Sequence, residues 1–138
     1  MTSNKGLFIS FEGIDGSGKS TQSKILTNTL IAAGKSVIQT REPGGSDGAE
    51  LIRSLLVSGD KDRWSPETEI LLFTAARRDH LEKTIQPALD NGQVVICDRY
   101  VDSTRIYQGV ARADLSDTVD ELHKIIINKE PDLTFIID

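Results

Sequence analysis

Short apolar runs rich in β-branched residues alternate along the chain with longer segments of helical periodicity. Runs of this length predict buried strands, and their alternation with helices is typical of an α/β domain built on a parallel sheet. The absence of repeats and low-complexity linkers indicates one domain over residues 1–138. The predicted strands are Leu7 to Phe11, Ser36 to Thr40, Gln93 to Cys97 and Leu133 to Ile137.

Capping and turn residues predict where the helices begin and end. The first helix should stop at Gly34, because glycine accepts the left-handed conformation common after a helix. The third helix has the clearest start, since Ser65 can cap free amides and Pro66 suits the first helical position. We expect it to bend at Pro87. The predicted helices are Gly18 to Ala33, Ala49 to Val57, Pro66 to Asp90 and Ser116 to Asn128.

The segment FEGIDGSGKSTQ lies between the first strand and the first helix and has the spacing G-x-x-x-x-G-K-S. In this P-loop pattern, glycines let backbone amides wrap a phosphate chain at the positive end of a helix. Lys19 would place a cation near the β- and γ-phosphates, and the Ser20 hydroxyl would ligate the bridging Mg²⁺. The alternative is a glycine-rich turn with an incidental lysine. The predicted ATP-binding residues are Gly13, Ile14, Asp15, Gly16, Ser17, Gly18, Lys19, Ser20 and Thr21.

Charged residues also follow the second and third predicted strands. Arg41 and Glu42 follow the second strand, and Asp98 and Arg99 follow the third. Ligands of parallel sheets bind outside the carboxyl ends of the strands, so these residues should meet the loop at one anion site. Asp98 fits the carboxylate of a Mg²⁺ shell, and Arg99 suits a second phosphate. The alternatives are a turn role for Asp98 and simple pairing between Asp98 and Arg99.

A cation interrupts the apolar face of the third helix, where Ile70, Phe73, Arg77, Leu81 and Ala88 share helical spacing. A buried guanidinium without partners is costly, so Arg77 should meet an internal carboxylate or a ligand acceptor. Phe73 lies one turn earlier and could stack on a base, although taken alone it would be interpreted as a core residue. The Phe73 and Arg77 pair therefore resembles a nucleobase clamp.

Composition narrows the possible partners and the location. The chain has 16 basic and 21 acidic residues and a net charge of −5, which disfavours nucleic acid and anionic membranes as partners. The single Cys97 excludes an internal disulfide framework and favours a reducing cytoplasm. The chain lacks an apolar run of bilayer length and a signal-peptide core, so a cytoplasmic protein is expected.

His80 and His123 lack metal-ligand spacing and are interpreted as structural or surface residues.

Four motifs in order, FEGIDGSGKSTQ, TREPGG at 40–45, LLFTAAR at 71–77 and DRYVDSTRIYQG at 98–109, resemble bacterial thymidylate kinase. PDLTFIID resembles the next strand of that family, so the likeness runs from Leu7 to Asp138. It implies a nucleoside-monophosphate-kinase-like parallel sheet with helices on both faces. It also implies phosphorylation of dTMP to dTDP by ATP and Mg²⁺, in dTTP biosynthesis, by a cytoplasmic homodimer.

The resemblance also implies roles for individual residues. Phe73 would stack on thymine, and Arg77 would bond its carbonyl edge. Arg99 and Arg41 would hold the dTMP phosphate, and Asp15 would approach the 3′-hydroxyl of the sugar. The implied dTMP-binding residues are Asp15, Arg41, Phe73, Arg77, Arg99, Thr104, Tyr107 and Gln108; the catalytic residues are Lys19, Asp98 and Arg99; and the metal ligands are Ser20 and Asp98.

The resemblance ends where the family continues with a lid, further helices and another strand. Some relatives carry an arginine inside the phosphate loop where this chain has Gly16, which resembles the subgroup whose catalytic arginine lies in the lid. We therefore expect that the chain is truncated, that its sheet is incomplete at the C-terminus, and that these 138 residues alone have weak or no activity.

Three other functions are each compatible with part of this pattern. A signalling GTPase needs an N-K-x-D guanine reader, whereas Asn128-Lys129-Glu130-Pro131 lacks the aspartate. A kinase for another nucleotide shares the phosphate machinery and differs only in the base pocket. A non-catalytic nucleotide-binding module would bind phosphates without turnover of dTMP.

Overall fold

The computed structural model describes residues 5–14, 16–60, 62–104 and 115–137. The strands within these ranges are β1 (Leu7–Glu12), β2 (Val37–Arg41), β3 (Val94–Asp98) and β4 (Leu133–Ile136). They form one sheet in the order β2-β3-β1-β4, and every neighbouring pair is parallel. Each strand lies within one residue of its predicted bounds. The predicted parallel sheet is therefore confirmed.

The helices connect these strands. They are α1 (Lys19–Ala32), α2 (Asp47–Val57), α3 (Pro66–His80), α4 (Gln86–Asp90), α5 (Val101–Thr104) and α6 (Ser116–Leu122), with π-helical turns at Leu81–Ile85 and His123–Ile127. The start of α2 was predicted two residues too late, at Ala49. Helix α2 begins at Asp47 because the hydroxyl of Ser46 accepts the amide hydrogen of Ala49 at 3.3 Å and caps the helix. The single turn α5 was not predicted.

The predicted third helix runs from Pro66 to Asp90 as α3, a π-helical turn and α4 in continuous succession. Its start is as predicted, since the Ser65 hydroxyl accepts the amide hydrogen of Thr68 at 3.1 Å. Proline lacks an amide hydrogen, and in a regular α-helix its ring crowds the carbonyl four residues earlier. Just before Pro87 the chain widens into the π-helical turn, which gives that carbonyl, on Lys83, more room.

Helices cover both faces of the sheet, as predicted. On one face, Phe8, Val95 and Cys97 pack against apolar residues of the 66–90 helical segment and of α6. On the other face, Ile9, Phe11 and Ile96 pack against Leu26 and Leu30 of α1. Because β1 and β3 are buried on both faces, their sequences are continuous apolar runs instead of alternating ones. This core holds the carboxyl ends of the strands in place.

Strand β4 lies at an edge of the sheet and pairs with β1. Its side chains are exposed, including Leu133, Phe135 and Ile136, although the Phe135 ring stacks on Phe11 with the centroids 5.2 Å apart. None of the described helices has the length and apolar content needed to cross a bilayer.

Candidate functional site

The carboxyl ends of three strands meet at one edge of the sheet. Phe11 of β1 is level with Asp98 of β3, and Asp98 is in turn level with Arg41 of β2. The predicted convergence of the strand ends is therefore confirmed by the register. Glu12 and Glu42, which end or follow these strands, are only 5% exposed each, so two carboxylates lie buried at this edge.

The phosphate loop, residues 13–18, needs its glycines for backbone geometry. Gly16 and Gly18 have φ angles of 83° and 93°, a region that other residues rarely adopt. A side chain at Gly13 would also collide, because a Cβ there would lie 2.6 Å from the carbonyl oxygen of Ile137. Ile14 is exposed, and Asp15 lies outside the described residues.

The side chain of Ser17 indicates that this loop binds an anion. Its hydroxyl oxygen is buried and has no hydrogen-bond partner within the described ranges. A buried hydroxyl without a partner is costly, and a phosphate oxygen would satisfy it. Helix α1 begins directly after Gly18, so the unpaired amides of its first turn also face this space. These residues fit a phosphate chain.

Lys19, Ser20 and Asp98 form one polar cluster below the loop. The ammonium of Lys19, 6% exposed, donates to Oδ1 of Asp98, and the Ser20 hydroxyl donates to Oδ2 at 3.2 Å. Neighbouring ligands of an octahedral Mg²⁺ at about 2.1 Å lie roughly 3 Å apart. The Ser20 and Asp98 oxygens are therefore spaced as two ligands of one Mg²⁺, and this donor set fits the ion.

Arg99 follows Asp98 in an unusual backbone conformation. Its φ of 71° is uncommon for a residue other than glycine and costs on the order of 1 kcal/mol. Two contacts hold this turn: the Arg99 amide donates to the carbonyl of Phe11 at 2.8 Å, and the Cys97 thiol donates to the carbonyl of Arg99 at 3.0 Å. The strained turn directs the half-buried Arg99 into the cavity beside the phosphate loop.

That cavity has a volume of about 550 Å³. It brings together predicted residues from four separate segments of the chain: Lys19, Ser20, Arg41, Phe73, Arg77, Asp98, Arg99 and Thr104. Arg41 is exposed, and its Nη2 donates to Oε1 of Glu50 at 3.0 Å, so the predicted phosphate ligand is paired with a carboxylate here. Tyr107 and Gln108 lie outside the described residues.

Arg77 has the partner that its apolar surroundings require. The side chain is 4% exposed, and its Nε donates to Oε1 of Glu42 at 2.6 Å. Its Nη2 donates to the hydroxyl of Thr104 at 2.8 Å, and its guanidinium carbon lies 5.2 Å from the centre of the Tyr100 ring. An internal carboxylate or a ligand acceptor was predicted as the partner of Arg77, and the structure shows an internal carboxylate, Glu42. Phe73, one turn earlier, is half-buried at the cavity wall.

Glu42 was expected at this edge of the sheet only as one of the charged residues after the strands, and no role was predicted for it. Burial alone would raise the pKa of its carboxyl, but the charge of Arg77 and hydrogen bonds from His80 and Arg77 outweigh burial and hold the pKa below its ordinary value. His80 is fully buried, with Nδ1 2.7 Å from Oε2 of Glu42 and Nε2 2.7 Å from the hydroxyl of Thr40. His80 is thus structural, as expected, and it is not a surface residue.

Glu12 was also missed. It accepts hydrogen bonds from the Ser103 hydroxyl at 2.5 Å and from the Tyr100 amide at 2.9 Å. Burial raises the pKa of the Glu12 carboxyl, and these two bonds offset only part of the effect. Glu12 thereby ties the end of β1, just before the phosphate loop, to α5. A carboxylate directly before Gly13 was the only sequence signal for it.

Glu42, His80 and Cys97 also place three possible metal-ligating atoms within 4.8 Å of one another. Their bonding argues against a metal ion. Both carboxylate oxygens and both imidazole nitrogens already have hydrogen-bond partners, and Arg77 supplies a positive charge next to them. Burial raises the pKa of the Cys97 thiol well above its ordinary value, so it stays protonated. The cluster is a hydrogen-bonded part of the core.

Comparison with known proteins places this site in a family. The family model described as thymidylate kinase matches residues 11–138. The chain belongs to the thymidylate kinase family. A thymidylate kinase of Ruegeria pomeroyi is 67% identical over 136 residues, which cover 99% of this chain and 64% of that protein. One of Dinoroseobacter shibae is 66% identical over 133 residues, covering 96% of this chain and 64% of that protein.

The likeness extends to a solved structure of the family. The crystal structure of thymidylate kinase from Ehrlichia chaffeensis superposes with a TM-score of 0.88 at 44% sequence identity, covering 97% of this chain and 77% of that chain. The present chain spans about 64% of the length of the curated thymidylate kinases named above. The predicted family and kinase-type fold are confirmed, and membership disfavours the signalling-GTPase alternative.

Proposed function

We propose that the full-length protein transfers the γ-phosphoryl group of ATP to the phosphate of dTMP, giving ADP and dTDP. One observation carries this proposal: a single cavity joins the Lys19, Ser20 and Asp98 cluster to a wall formed by Phe73 and Arg77. A phosphate-binding end and a base-binding end in one cavity suit two nucleotides that meet through their phosphates. The family membership of the chain supports the same reaction.

The donor phosphates would lie along residues 13–21. The amides of the loop and of the first turn of α1 would bind them, and the Ser17 hydroxyl would gain the partner that it lacks. Lys19 would exchange part of its contact with Asp98 for the β- and γ-phosphate oxygens. Ser20 and Asp98 would hold Mg²⁺, which would supply positive charge to neutralise the negative charge that develops on the phosphates. The spacing of their oxygens supports this assignment.

The acceptor phosphate would be bound by Arg99, with Arg41 as a second cation. Arg99 follows Asp98 in the chain and lines the same cavity, where its planar fork suits two phosphate oxygens. Arg41 would leave Glu50, its exposed partner, at little cost, because exposed ion pairs contribute at most about 1 kcal/mol. Bringing two anionic phosphates together in line is then a matter of positioning and charge neutralisation, without a covalent enzyme intermediate.

Arg77 would read the base. A guanidinium only donates hydrogen bonds, so it matches the carbonyl oxygen at C4 of thymine and mismatches the amino group at C4 of cytosine. Phe73 would stack on the ring, and Thr104 would line the pocket beside Arg77. Asp15, Tyr107 and Gln108 remain predictions for the sugar and base, and the homodimer remains a prediction from the family.

The test is a coupled spectrophotometric assay of the full-length protein with ATP, Mg²⁺ and either dTMP or dCMP. We expect turnover that requires Mg²⁺ and prefers dTMP. Equal turnover of dTMP and dCMP would favour the alternative of a kinase for another nucleotide. Binding of ATP without turnover of any monophosphate would favour a non-catalytic nucleotide-binding module.

A further inference from the structure

We propose that Glu42 is a positioning residue that orients the guanidinium of Arg77 and thereby sets the affinity and base preference for dTMP. This inference rests on the function proposed above, and it assigns a role to a residue that is not one of the predicted dTMP contacts. Glu42 and Arg77 both line the cavity described above, and Glu42 acts through Arg77.

Both oxygens of the Glu42 carboxylate are engaged. Oε1 accepts from Nε of Arg77 at 2.6 Å, and Oε2 lies 2.7 Å from Nδ1 of His80. All three side chains are buried, with 3%, 4% and 0% exposure for Glu42, Arg77 and His80. Water therefore cannot easily replace either contact, and the carboxylate has one preferred orientation.

Arg77 and the two residues that accept its hydrogen bonds come from three separate segments of the chain. Glu42 follows β2, Arg77 lies in α3, and Thr104 lies in α5. Glu42 holds Nε and Thr104 holds Nη2, so rotation of the guanidinium about its side chain would break at least one of these bonds. The plane of the guanidinium, and the direction of the donors that remain for a ligand, are fixed in advance.

His80 extends this arrangement behind Glu42. Its Nε2 lies 2.7 Å from the hydroxyl of Thr40 in β2, so the carboxylate is anchored to the sheet through an imidazole. Gly45 makes room for the ring, since a Cβ at that position would lie 2.3 Å from Nε2 of His80. Residues of the TREPGG segment thus hold Arg77 and His80 in place on the side of Arg77 away from the base, although none of them is predicted to contact the base.

A contribution to stability does not by itself explain why Glu42 and Arg77 form a buried ion pair. Buried ion pairs give little net stability compared with well-packed apolar side chains, because both charges lose their hydration. A charge placed behind a cavity-lining arginine instead gives a defined orientation to a donor group. It also neutralises Arg77, so that this cation does not compete with Arg99 for the phosphate.

The decisive variant is Glu42→Gln in the full-length protein. Glutamine is uncharged and has an acceptor oxygen at only one of the two carboxylate-oxygen positions, so it cannot accept from both Arg77 and His80 in the present arrangement. We expect the KM for dTMP to rise about tenfold or more, the effect of losing a charge-assisted hydrogen bond. The preference for dTMP over dCMP should fall by a similar factor. The KM for ATP and the kcat at saturating dTMP should stay within about twofold.

Glu82→Gln is the matched control. Glu82 accepts from Nε of Arg78 at 2.7 Å, in the same kind of contact, but both side chains are exposed and lie outside the cavity. Its kinetics should equal those of the wild type. If Glu42→Gln folds and leaves both the KM for dTMP and the base preference unchanged, the inference is wrong. If the wild type itself does not phosphorylate dTMP, the proposed function fails instead.

A second variant decides the matter if Glu42→Gln does not fold. In His80→Asn, the amide can still donate to Glu42 as Nδ1 does, but the bond to Thr40 is lost, so the anchor is loosened without removing the charge. We expect a rise of several-fold in the KM for dTMP, with the KM for ATP unchanged. An unchanged KM for dTMP, or an equal rise in both KM values, would overturn the positioning role.

Discussion

Replacement of Arg77 by leucine tests the buried ion pair and the base pocket together. From the apolar stripe alone, leucine should fit the position. The structure indicates otherwise, because Glu42 is 5% exposed and would lose the guanidinium of Arg77, leaving the imidazole of His80 as its remaining described side-chain partner. Removing one member of a buried ion pair typically costs about 3–5 kcal/mol. We therefore expect Arg77→Leu to be strongly destabilised.

This free energy is large enough to measure by unfolding. At roughly 2–8 °C per kcal/mol, the loss corresponds to a fall in Tm of about 6 to 40 °C. The double variant Arg77→Leu/Glu42→Gln removes the stranded charge, so it should be more stable than Arg77→Leu alone. Arg78→Leu is the matched control, because Arg78 makes an exposed pair with Glu82 that contributes at most about 1 kcal/mol.

The pH dependence gives an independent check. In the wild type the pKa of Glu42 is held below its ordinary value, so its contribution to stability is present above that value and is lost as the pH falls through the lowered pKa. In Arg77→Leu, burial should raise the pKa instead, and protonation on acidification should relieve the penalty. The difference in unfolding free energy between the two proteins should therefore narrow as the pH falls.

Urea unfolding followed by circular dichroism, from neutral to mildly acidic pH, measures these differences. Calorimetric titration of the full-length proteins measures dTMP binding, which we expect to be lost in both Arg77→Leu and the double variant while ATP binding is retained. A stability gap that does not change with pH, or a double variant no more stable than Arg77→Leu, would show that Glu42 is not an uncompensated buried charge in Arg77→Leu. Unchanged dTMP binding would make Arg77 a purely structural residue.

Three further predictions concern other parts of the site. Lys19→Ala in the full-length protein should lower kcat by on the order of a hundredfold or more in the coupled assay, while Lys24→Ala, an exposed lysine of the same helix, should not. Gly45→Ala should cost about 1–3 kcal/mol in urea unfolding, because its φ is 93° and a Cβ would collide with His80; unchanged stability would contradict the described packing. Cys97, fully buried, should resist alkylation in the native protein and react after unfolding, as peptide mass spectrometry can show.

The strands and the phosphate loop could be predicted because their signals are local. The apolar runs of β1 and β3 end at Glu12 and Asp98, within one residue of the prediction, because burial on both faces of a sheet demands a continuous apolar sequence. The spacing from Gly13 to Ser20 likewise encodes a backbone shape that few other residues can adopt. Each of these features depends on side chains that are neighbours in the sequence.

The apolar stripe around Arg77 also required a partner for this residue, because a guanidinium there is too costly to leave unpaired. The identity of that partner depends on the packing of distant segments. Glu42 lies 35 positions away, and Ser103 lies 91 positions from Glu12, so neither contact leaves a pattern in the chain. Both depend on the strand order β2-β3-β1-β4, which places β2 beside β3 and β1 beside β3 through non-local pairing. Local chemistry thus determined which residues needed neighbours, and the packing of distant segments determined which neighbours they have.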